Sequence, residues 1–178
     1  MADPVEKVSP LQDLSVPHVG SDSVVLSERL CESLVQVQAW PDTVGDVEGV
    51  LAKLKDVTTM ASGPGRWLIE APTEGLEQKL RKSISAEMGA VTGLTHARVV
   101  VSVSGEKATW VLASGIALDF HLDAFPVGTT QLSHHHEIGL TIHRTGEDSF
   151  ELYAFTSLVR GLWHWLETAS AEVGYSVI

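Results

Sequence analysis

Three consecutive histidines, His134, His135 and His136, are the residues whose type points most directly to chemistry. Imidazole nitrogens are common zinc ligands. Because consecutive residues of a strand point to opposite faces, at most His134 and His136 can converge, and His143 can join them from the next predicted strand. Three such ligands and a water would form a metal site, so a small metal-binding module is one hypothesis. A polar strand face explains the same residues without a metal.

A second group of titratable residues is the segment in which Asp119 and Asp123 flank His121. Carboxylate and imidazole groups can act as general acids or bases. The same arrangement is typical of a turn in which an aspartate side chain accepts hydrogen bonds from backbone amides. The sequence leaves both alternatives open.

Other motifs that carry chemistry are absent from the sequence. The Gly63–Arg66 segment is not a phosphate-binding loop, because it lacks the Gly-Lys-Ser/Thr ending and leads into a predicted strand. The chain contains no Gly-x-Ser-x-Gly, Gly-x-Gly-x-x-Gly or His-Glu-x-x-His motif. Cys31 is the only cysteine, so no intramolecular disulfide can form, and its apolar surroundings predict a small buried side chain.

The composition argues against several classes of partner. The chain has 178 residues and a net charge of -11, from 12 Lys plus Arg against 23 Asp plus Glu. Such a surface repels nucleic acid and anionic membranes. No apolar run reaches the roughly 18 residues that a spanning helix needs, and the first residues lack the pattern of a secretory signal. We therefore expect a cytoplasmic protein.

Residues 1–27 are predicted to form an extended N-terminal arm, because prolines, glycine and small polar residues interrupt regular structure there. Residues 28–178 are predicted to form a single α+β domain. The apolar residues of the arm belong either to a loose segment or to one that lies on another surface. Leu11 and Leu14 are therefore candidates for an interface.

Hydrophobic periodicity predicts an alternation of helices and strands in residues 28–178. The predicted elements are a strand over 30–40, a helix capped by Thr43, a strand over 66–70, a helix over 76–88, a strand over 99–104, a helix capped by Ser104 that ends at Gly115, strands over 129–135, 138–144 and 150–155, a helix over 156–171 and a final strand over 175–178. This mixture predicts an α+β fold with a mixed, largely antiparallel sheet on which helices pack.

Two tryptophans occupy positions where a partner could cover them. Trp110 lies opposite the apolar stripe formed by Ala108, Val111 and Leu112 on its predicted helix. Trp163 lies at the edge of the apolar stripe of the last predicted helix. Aromatic residues are enriched in the cores of interfaces, so both are interface candidates.

Residues 94–126 resemble the gamma subunit of heterotetrameric sarcosine oxidase. The similar motifs are LTHARVVVSVSGEKA at 94–108, VLASG at 111–115, LDFH at 118–121 and AFP at 124–126. SPL at 9–11, GRWLI at 65–69, FELY at 150–153 and LWHWL at 162–166 extend the resemblance over most of the chain.

The resemblance implies a fold related to the folate-binding domain of aminomethyltransferases. It implies assembly with alpha, beta and delta subunits into an oxidoreductase that acts on CH–NH donors with oxygen as acceptor. That complex converts sarcosine to glycine and hydrogen peroxide and passes a one-carbon unit to tetrahydrofolate. FAD, FMN, NAD, tetrahydrofolate and zinc belong to the other subunits, and the gamma chain has no cofactor and no catalytic residue. Related complexes oxidise other N-methylated amines.

The resemblance also suggests one role for Asp119, which falls where aminomethyltransferases keep an acidic residue at the folate amine. A stand-alone tetrahydrofolate-binding or aminomethyltransferase-like protein that uses Asp119 is therefore an alternative. The glycine-rich turn of those enzymes is replaced here by residues 134–136. A noncatalytic structural subunit is accordingly the first hypothesis.

Overall fold

The computed structural model describes residues 8–15, 17–18 and 20–178. The first half of this part of the chain contains β1 (Val25–Arg29), β2 (Ser33–Ala39), α1 (Val44–Leu51), β3 (Thr58–Gly63), β4 (Arg66–Ala71), α2 (Leu76–Ser83) and β5 (Gly89–Gly93). The second half contains β6 (Arg98–Ser104), α3 (Ala108–Ala113), β7 (Thr130–His135), β8 (Ile138–Gly146), β9 (Ser149–Phe155), α4 (Val159–Ser170) and β10 (Ser176–Val177).

The strands form two sheets. The larger has the order β10-β1-β6-β9-β8-β7, and the smaller has the order β3-β4-β2-β5. Neighbouring strands pair antiparallel except for β1 and β10, which are parallel. The predicted α+β class with largely antiparallel pairing is confirmed, although the strands divide between two sheets.

Strand β6 shows how the two faces of the larger sheet differ. Val99, Val101 and Val103 pack with residues of α3 and α4 in one apolar core. Val100 points to the opposite face, where it packs with Leu68 of the smaller sheet. Helices α1 and α2 cover the far side of the smaller sheet. The chain therefore forms four layers, in the order helices, sheet, sheet, helices.

The boundary predicted for the arm at residue 27 falls inside β1, which pairs with β6 in the larger sheet. Leu11 is fully buried in the core beneath α4, and Leu14 packs partly buried against the same core. The carboxylate of Asp13 accepts hydrogen bonds of 2.7 and 3.0 Å from the guanidinium of Arg160. Leu11 thus has no surface left for a partner, which corrects its assignment as an interface residue. Residues 1–7, 16 and 19 of the predicted arm lie outside the described residues.

Strands β1, β3 and β5 were not predicted. The predicted helix over 76–88 ends at Ser83, because Ile84 is extended, and β5 begins at Gly89. The predicted caps are also wrong. Thr43 donates its hydroxyl to Trp40 and Met88 carbonyls instead of capping α1, and α3 begins after Lys107 without a side-chain cap.

The prediction for the last helix is correct in position, but Trp163 is not at the surface. Helix α4 buries Val159, Leu162, Trp163 and Leu166, and Trp163 is fully buried. The buried stripe is centred near Val159 and Leu166, and Trp163 lies on its flank. Because Trp163 is fully enclosed there, it cannot contact a partner from the core. Helix α4 is the longest described helix, and none of those helices is long and apolar enough to cross a membrane.

The burial of Leu11 predicts that the arm contributes to stability. Leu11→Ala removes buried methyl groups and leaves a cavity, so the free energy of unfolding should fall by about 3 kcal/mol. Leu132, which is 52% exposed on β7, provides the matched Leu→Ala control. Urea denaturation of both variants measures the difference, and equal stabilities would show that the arm does not pack on the core in solution.

Candidate functional site

The histidines predicted to hold a metal are not brought together. His134 and His136 are exposed, and His136 adopts a left-handed backbone with φ 48° in the β7–β8 turn. His143 pairs with Thr130, which lies four residues, about 13 Å, from His134 along β7. In residues 8–15, 17–18 and 20–178, no group of three His, Cys, Asp or Glu residues is arranged to hold a metal ion. The metal-binding hypothesis therefore loses its geometric basis.

His135, the middle histidine, has a structural role instead. Its ring stacks on Trp165 with the ring centroids 4.0 Å apart, and its Nδ1 lies 2.9 Å from the carbonyl oxygen of Gly115. A side chain at position 115 would meet the Trp165 ring at 2.5 Å. This contact joins the segment after α3 to β7 and α4.

The Asp119 segment forms the predicted turn. Asp119 is exposed, and its Oδ1 accepts a hydrogen bond of 2.9 Å from the backbone N–H of His121. The backbone N–H of Asp123 donates to His121 Nδ1 at 3.3 Å. The interpretation of these residues as turn formers is confirmed. A folate role for Asp119 stays a prediction.

A different group of charged residues lies between the two sheets. Arg29 of β1 pairs with Glu70 of β4 and donates a 2.8 Å hydrogen bond to Glu151 of β9. The hydroxyl of Tyr153, also on β9, lies 2.7 Å from Glu70 Oε2, to which it donates, and 3.0 Å from Glu151 Oε2. We refer to these four residues as the inter-sheet network.

Alternation along the strands explains why these side chains meet. On β9, Phe150 and Leu152 pack into the core beneath the helices, so Glu151 and Tyr153 must point towards the smaller sheet. On β4, Ile69 packs under α1 and α2, so Glu70 points towards the larger sheet. Each charged residue thus occupies the inward-facing position of its own strand.

Burial and pairing together set the protonation states of the network. Burial alone would raise the pKa of Glu151, but interactions with His143 and Arg29 outweigh it and lower the pKa to about 2. Burial and the hydrogen bond to Glu70 raise the pKa of the Tyr153 hydroxyl. Burial would lower the pKa of Arg29, yet Glu70 and Glu151 raise it. At neutral pH the network therefore contains a charged guanidinium, an ionised Glu151 and a protonated phenol.

Three residues of the network, Arg29, Glu70 and Glu151, line an open cavity of about 570 Å³, which Asp56 and His143 also line. His143 Nδ1 is buried, has no hydrogen-bond partner among the described residues and lies 3.9 Å from Glu151 Oε2. The carboxylates of Glu70 and Glu151 already accept hydrogen bonds from Arg29 and Tyr153. The arrangement is suited to holding two sheets together, because its acids are engaged in structural pairs.

A larger open cavity of about 1050 Å³ lies beside α2. Its lining includes Glu32, Glu74 and Glu77, and Glu77 forms an ion pair of 2.8 Å with Arg81 on the same helix. This cavity shares no lining residue with the cavity at the inter-sheet network, and none of the candidate residues identified from the sequence line it.

Sequence reasoning did not identify the inter-sheet network. The available signal was that Arg29, Glu70 and Glu151 each lie in a strand that also contains large apolar residues. Charged residues are almost never fully buried unless they are paired. The pattern indicates that partners exist, but which strands bring them together depends on the tertiary structure.

The comparisons with known proteins agree with the sequence resemblance. Residues 50–172 match the model of the "Sarcosine oxidase, gamma subunit family". The chain is 30% identical over 133 residues to sarcosine oxidase subunit gamma of Arthrobacter sp, and 33% identical over 137 residues to the same subunit of Corynebacterium sp. (strain P-1). These alignments cover 74% of this chain, and the chain spans 64% of the length of each relative.

Two solved structures share the fold. Heterotetrameric sarcosine oxidase from Corynebacterium sp. U-96, in complex with pyrrole 2-carboxylate, matches with a TM-score of 0.82 and 24% identity over 93% of this chain and 95% of that chain. Glycine cleavage system aminomethyltransferase T from Bartonella henselae matches with a TM-score of 0.57 and 17% identity over 82% of this chain and 45% of that chain. The predicted relation to an aminomethyltransferase fold is confirmed.

The inter-sheet network predicts an acid-sensitive contribution to stability. The pKa of Glu151 is lower in the folded chain, at about 2, than its ordinary value of 4.5. The stabilisation is therefore complete above about pH 4.5 and is lost as the pH falls from there towards 2. Glu151→Gln should be less stable than the parent at pH 7, and the difference should shrink on acidification.

Urea denaturation from pH 7 to pH 3 measures this difference, with Glu151→Gln compared with the parent at each pH. Glu48→Gln, at an exposed position of α1, is the control and should follow the parent throughout. If the gap between parent and Glu151→Gln stays constant over that range, Glu151 does not stabilise the fold through its ionised form.

Proposed function

The chain belongs to the sarcosine oxidase gamma subunit family, and from that premise we propose that it is a noncatalytic structural subunit of a heterotetrameric sarcosine oxidase-type flavoenzyme. The proposed partners are alpha, beta and delta subunits. Those subunits hold the FAD, FMN, NAD, tetrahydrofolate and zinc that the reaction needs. The complex oxidatively demethylates sarcosine to glycine, forms hydrogen peroxide and transfers the one-carbon unit to tetrahydrofolate. The expected location is the cytoplasm.

One observation carries the noncatalytic part of the proposal: the carboxylates of Glu70, Glu151 and Asp119 are engaged in structural contacts. Glu70 and Glu151 accept from Arg29 and Tyr153 between the sheets. Asp119 accepts from a backbone amide in its own turn. A general acid or base must reach the proton that it transfers, and these groups instead hold backbone or other side chains. The chemistry is therefore assigned to the other subunits.

The exposed surface of α3 supports the assembly role. Trp110 is 46% exposed, while Ala108, Val111 and Leu112 of the same helix are fully buried. When another protein covers a tryptophan on the outer face of a short helix, the complex is stabilised, because a large apolar surface is removed from water. We propose Trp110 as an anchor for a partner subunit.

Copurification tests the proposal. The tagged chain is expressed with the genes proposed to encode the other subunits and is isolated from the cells. We expect the chain to emerge with larger subunits and with the absorbance of bound flavin. Recovery of the chain alone, without flavin absorbance, would contradict the proposal.

Substitution of Trp110 tests how the subunit docks. Trp110→Ala should weaken assembly by about 2 kcal/mol, the scale of an interface hot spot. Trp40 is 42% exposed, but its Nε1–H already donates to the carbonyl of Ala86 at 2.8 Å, so Trp40→Ala is the matched control. Titration of each variant into the remaining subunits gives the affinities. Equal affinities of the parent and of Trp110→Ala would show that Trp110 does not contribute to binding the other subunits.

A further inference from the structure

Arg98 differs from the other arginines of the chain because it has no acceptor in the part of the chain that the structure describes. The chain has six arginines, and Arg29, Arg66, Arg81, Arg144 and Arg160 each donate side-chain hydrogen bonds. Arg98 makes no hydrogen bond or ion pair to any residue that the structure describes, although its Nε is buried. Withdrawing a guanidinium from water without supplying an acceptor costs free energy.

The guanidinium of Arg98 is nevertheless held in a defined position. Its Cζ lies 3.4 Å from the centroid of the Phe155 ring, on the neighbouring strand of the larger sheet. Backbone contacts fix the end of β9 beside it: Thr156 donates from its N–H to Ala97 at 3.0 Å and from its hydroxyl to His96 at 3.1 Å. The stack covers one face of the guanidinium and leaves its N–H edge as the binding surface.

Exposed apolar side chains adjoin this cation. Phe155 is 43% exposed and Leu158 is 40% exposed. The N–H of Leu158 donates to the carbonyl of Phe155 at 2.9 Å, so both belong to one turn. An unpaired arginine next to an aromatic and an aliphatic surface has the composition of an interface hot spot, where Arg and aromatic residues predominate.

We propose that Arg98 binds a carboxylate side chain of another subunit of the complex, and that Phe155 and Leu158 are covered in the same contact. This inference rests on the proposed function. Because Arg98 Nε is buried, the two Nη groups provide the donors for a bidentate pair with the carboxylate. The net charge of -11 opposes a polyanion such as nucleic acid. A free small anion would leave the neighbouring apolar surface in water.

The proposed contact between Arg98 and a partner carboxylate predicts different effects of removing Arg98 in the complex and in the isolated chain. In the complex, removal of Arg98 leaves the partner carboxylate unpaired and weakens assembly. In the isolated chain, the same change removes a desolvated charge that has no acceptor, and burial already lowers the pKa of Arg98. Removal of Arg98 should therefore weaken assembly without lowering the stability of the free chain. If Arg98 had a purely structural role, its removal would lower both.

The test uses Arg98→Met, which keeps an apolar chain over Phe155, and Arg98→Lys, which keeps the charge but loses the fork of donors. Each full-length variant is titrated into the remaining subunits. We expect Arg98→Met to bind about 30-fold more weakly than the parent, with Arg98→Lys in between. Arg66→Met, at an exposed position of β4, is the control and should bind like the parent. Urea denaturation should find the free Arg98→Met chain at least as stable as the parent.

The outcomes separate this inference from the proposed function. If the parent chain does not bind the other subunits, the proposed function fails and this inference fails with it. If the parent binds and Arg98→Met binds equally well, this inference alone is overturned. A marked loss of stability in the free Arg98→Met chain, or an acetate-binding signal on the isolated parent that Arg98→Met abolishes, would also overturn it, because Arg98 would then serve the fold or a small anion.

Discussion

The pairing of Arg29 with Glu70 and Glu151 between the two sheets is the interaction on which the rest of the structure depends. The apolar contact between the sheets is small, with one cluster that includes Leu34, Leu68 and Tyr153. A buried ion pair gains little net stability unless further hydrogen bonds satisfy its oxygens. Here Arg29 donates to both carboxylates, and the Tyr153 hydroxyl adds a donated hydrogen bond to Glu70. The network therefore favours one relative position of the sheets, which in turn positions the helices on each outer side.

A second arginine, which is buried, holds the surface loop between α3 and β7. Arg144 is 2% exposed, and its Nη1 donates at 2.8 Å to the carbonyls of both Phe120 and Phe125. The rings of these two residues pack with Phe150 in the core. The loop that carries Asp119 is thus held by its backbone and its aromatic side chains. Arg29 and Arg144 both serve the fold, whereas the proposed partner contacts lie on exposed side chains of α3 and β9.

How much of this the sequence could predict depends on the range of the interactions involved. Strands β7, β8 and β9 follow one another through short turns, so alternation along the chain predicts them well. Strand β5 has the composition Gly-Ala-Val-Thr-Gly, and it is a strand because β2 pairs with it from more than 50 residues away. Leu76, Leu80 and Ile84 keep a four-residue spacing that predicts a longer helix. In the structure α2 ends at Ser83, and Ile84 is extended before β5 begins.

The candidate residues show the same dependence on the range of the interactions. The position of Trp110 follows from helical geometry alone, and its exposure agrees with that prediction. The sequence predicts Trp163 at the edge of its apolar stripe but does not predict that this edge is buried. Which flank of α4 is buried depends on how the helix packs on the sheet. The partners of Arg29, and the absence of a partner for Arg98, depend on strands far apart in the sequence, so periodicity does not reveal them.

Native mass spectrometry of the assembled complex tests the central claim most directly. The intact complex is weighed and then dissociated, and the mass of each ejected chain is measured. A structural subunit without a cofactor should be present in the intact complex and should leave at its bare mass of 19.2 kDa, while flavin stays with other chains. A complex that lacks this chain, or a chain that leaves with flavin or tetrahydrofolate bound, would contradict the account.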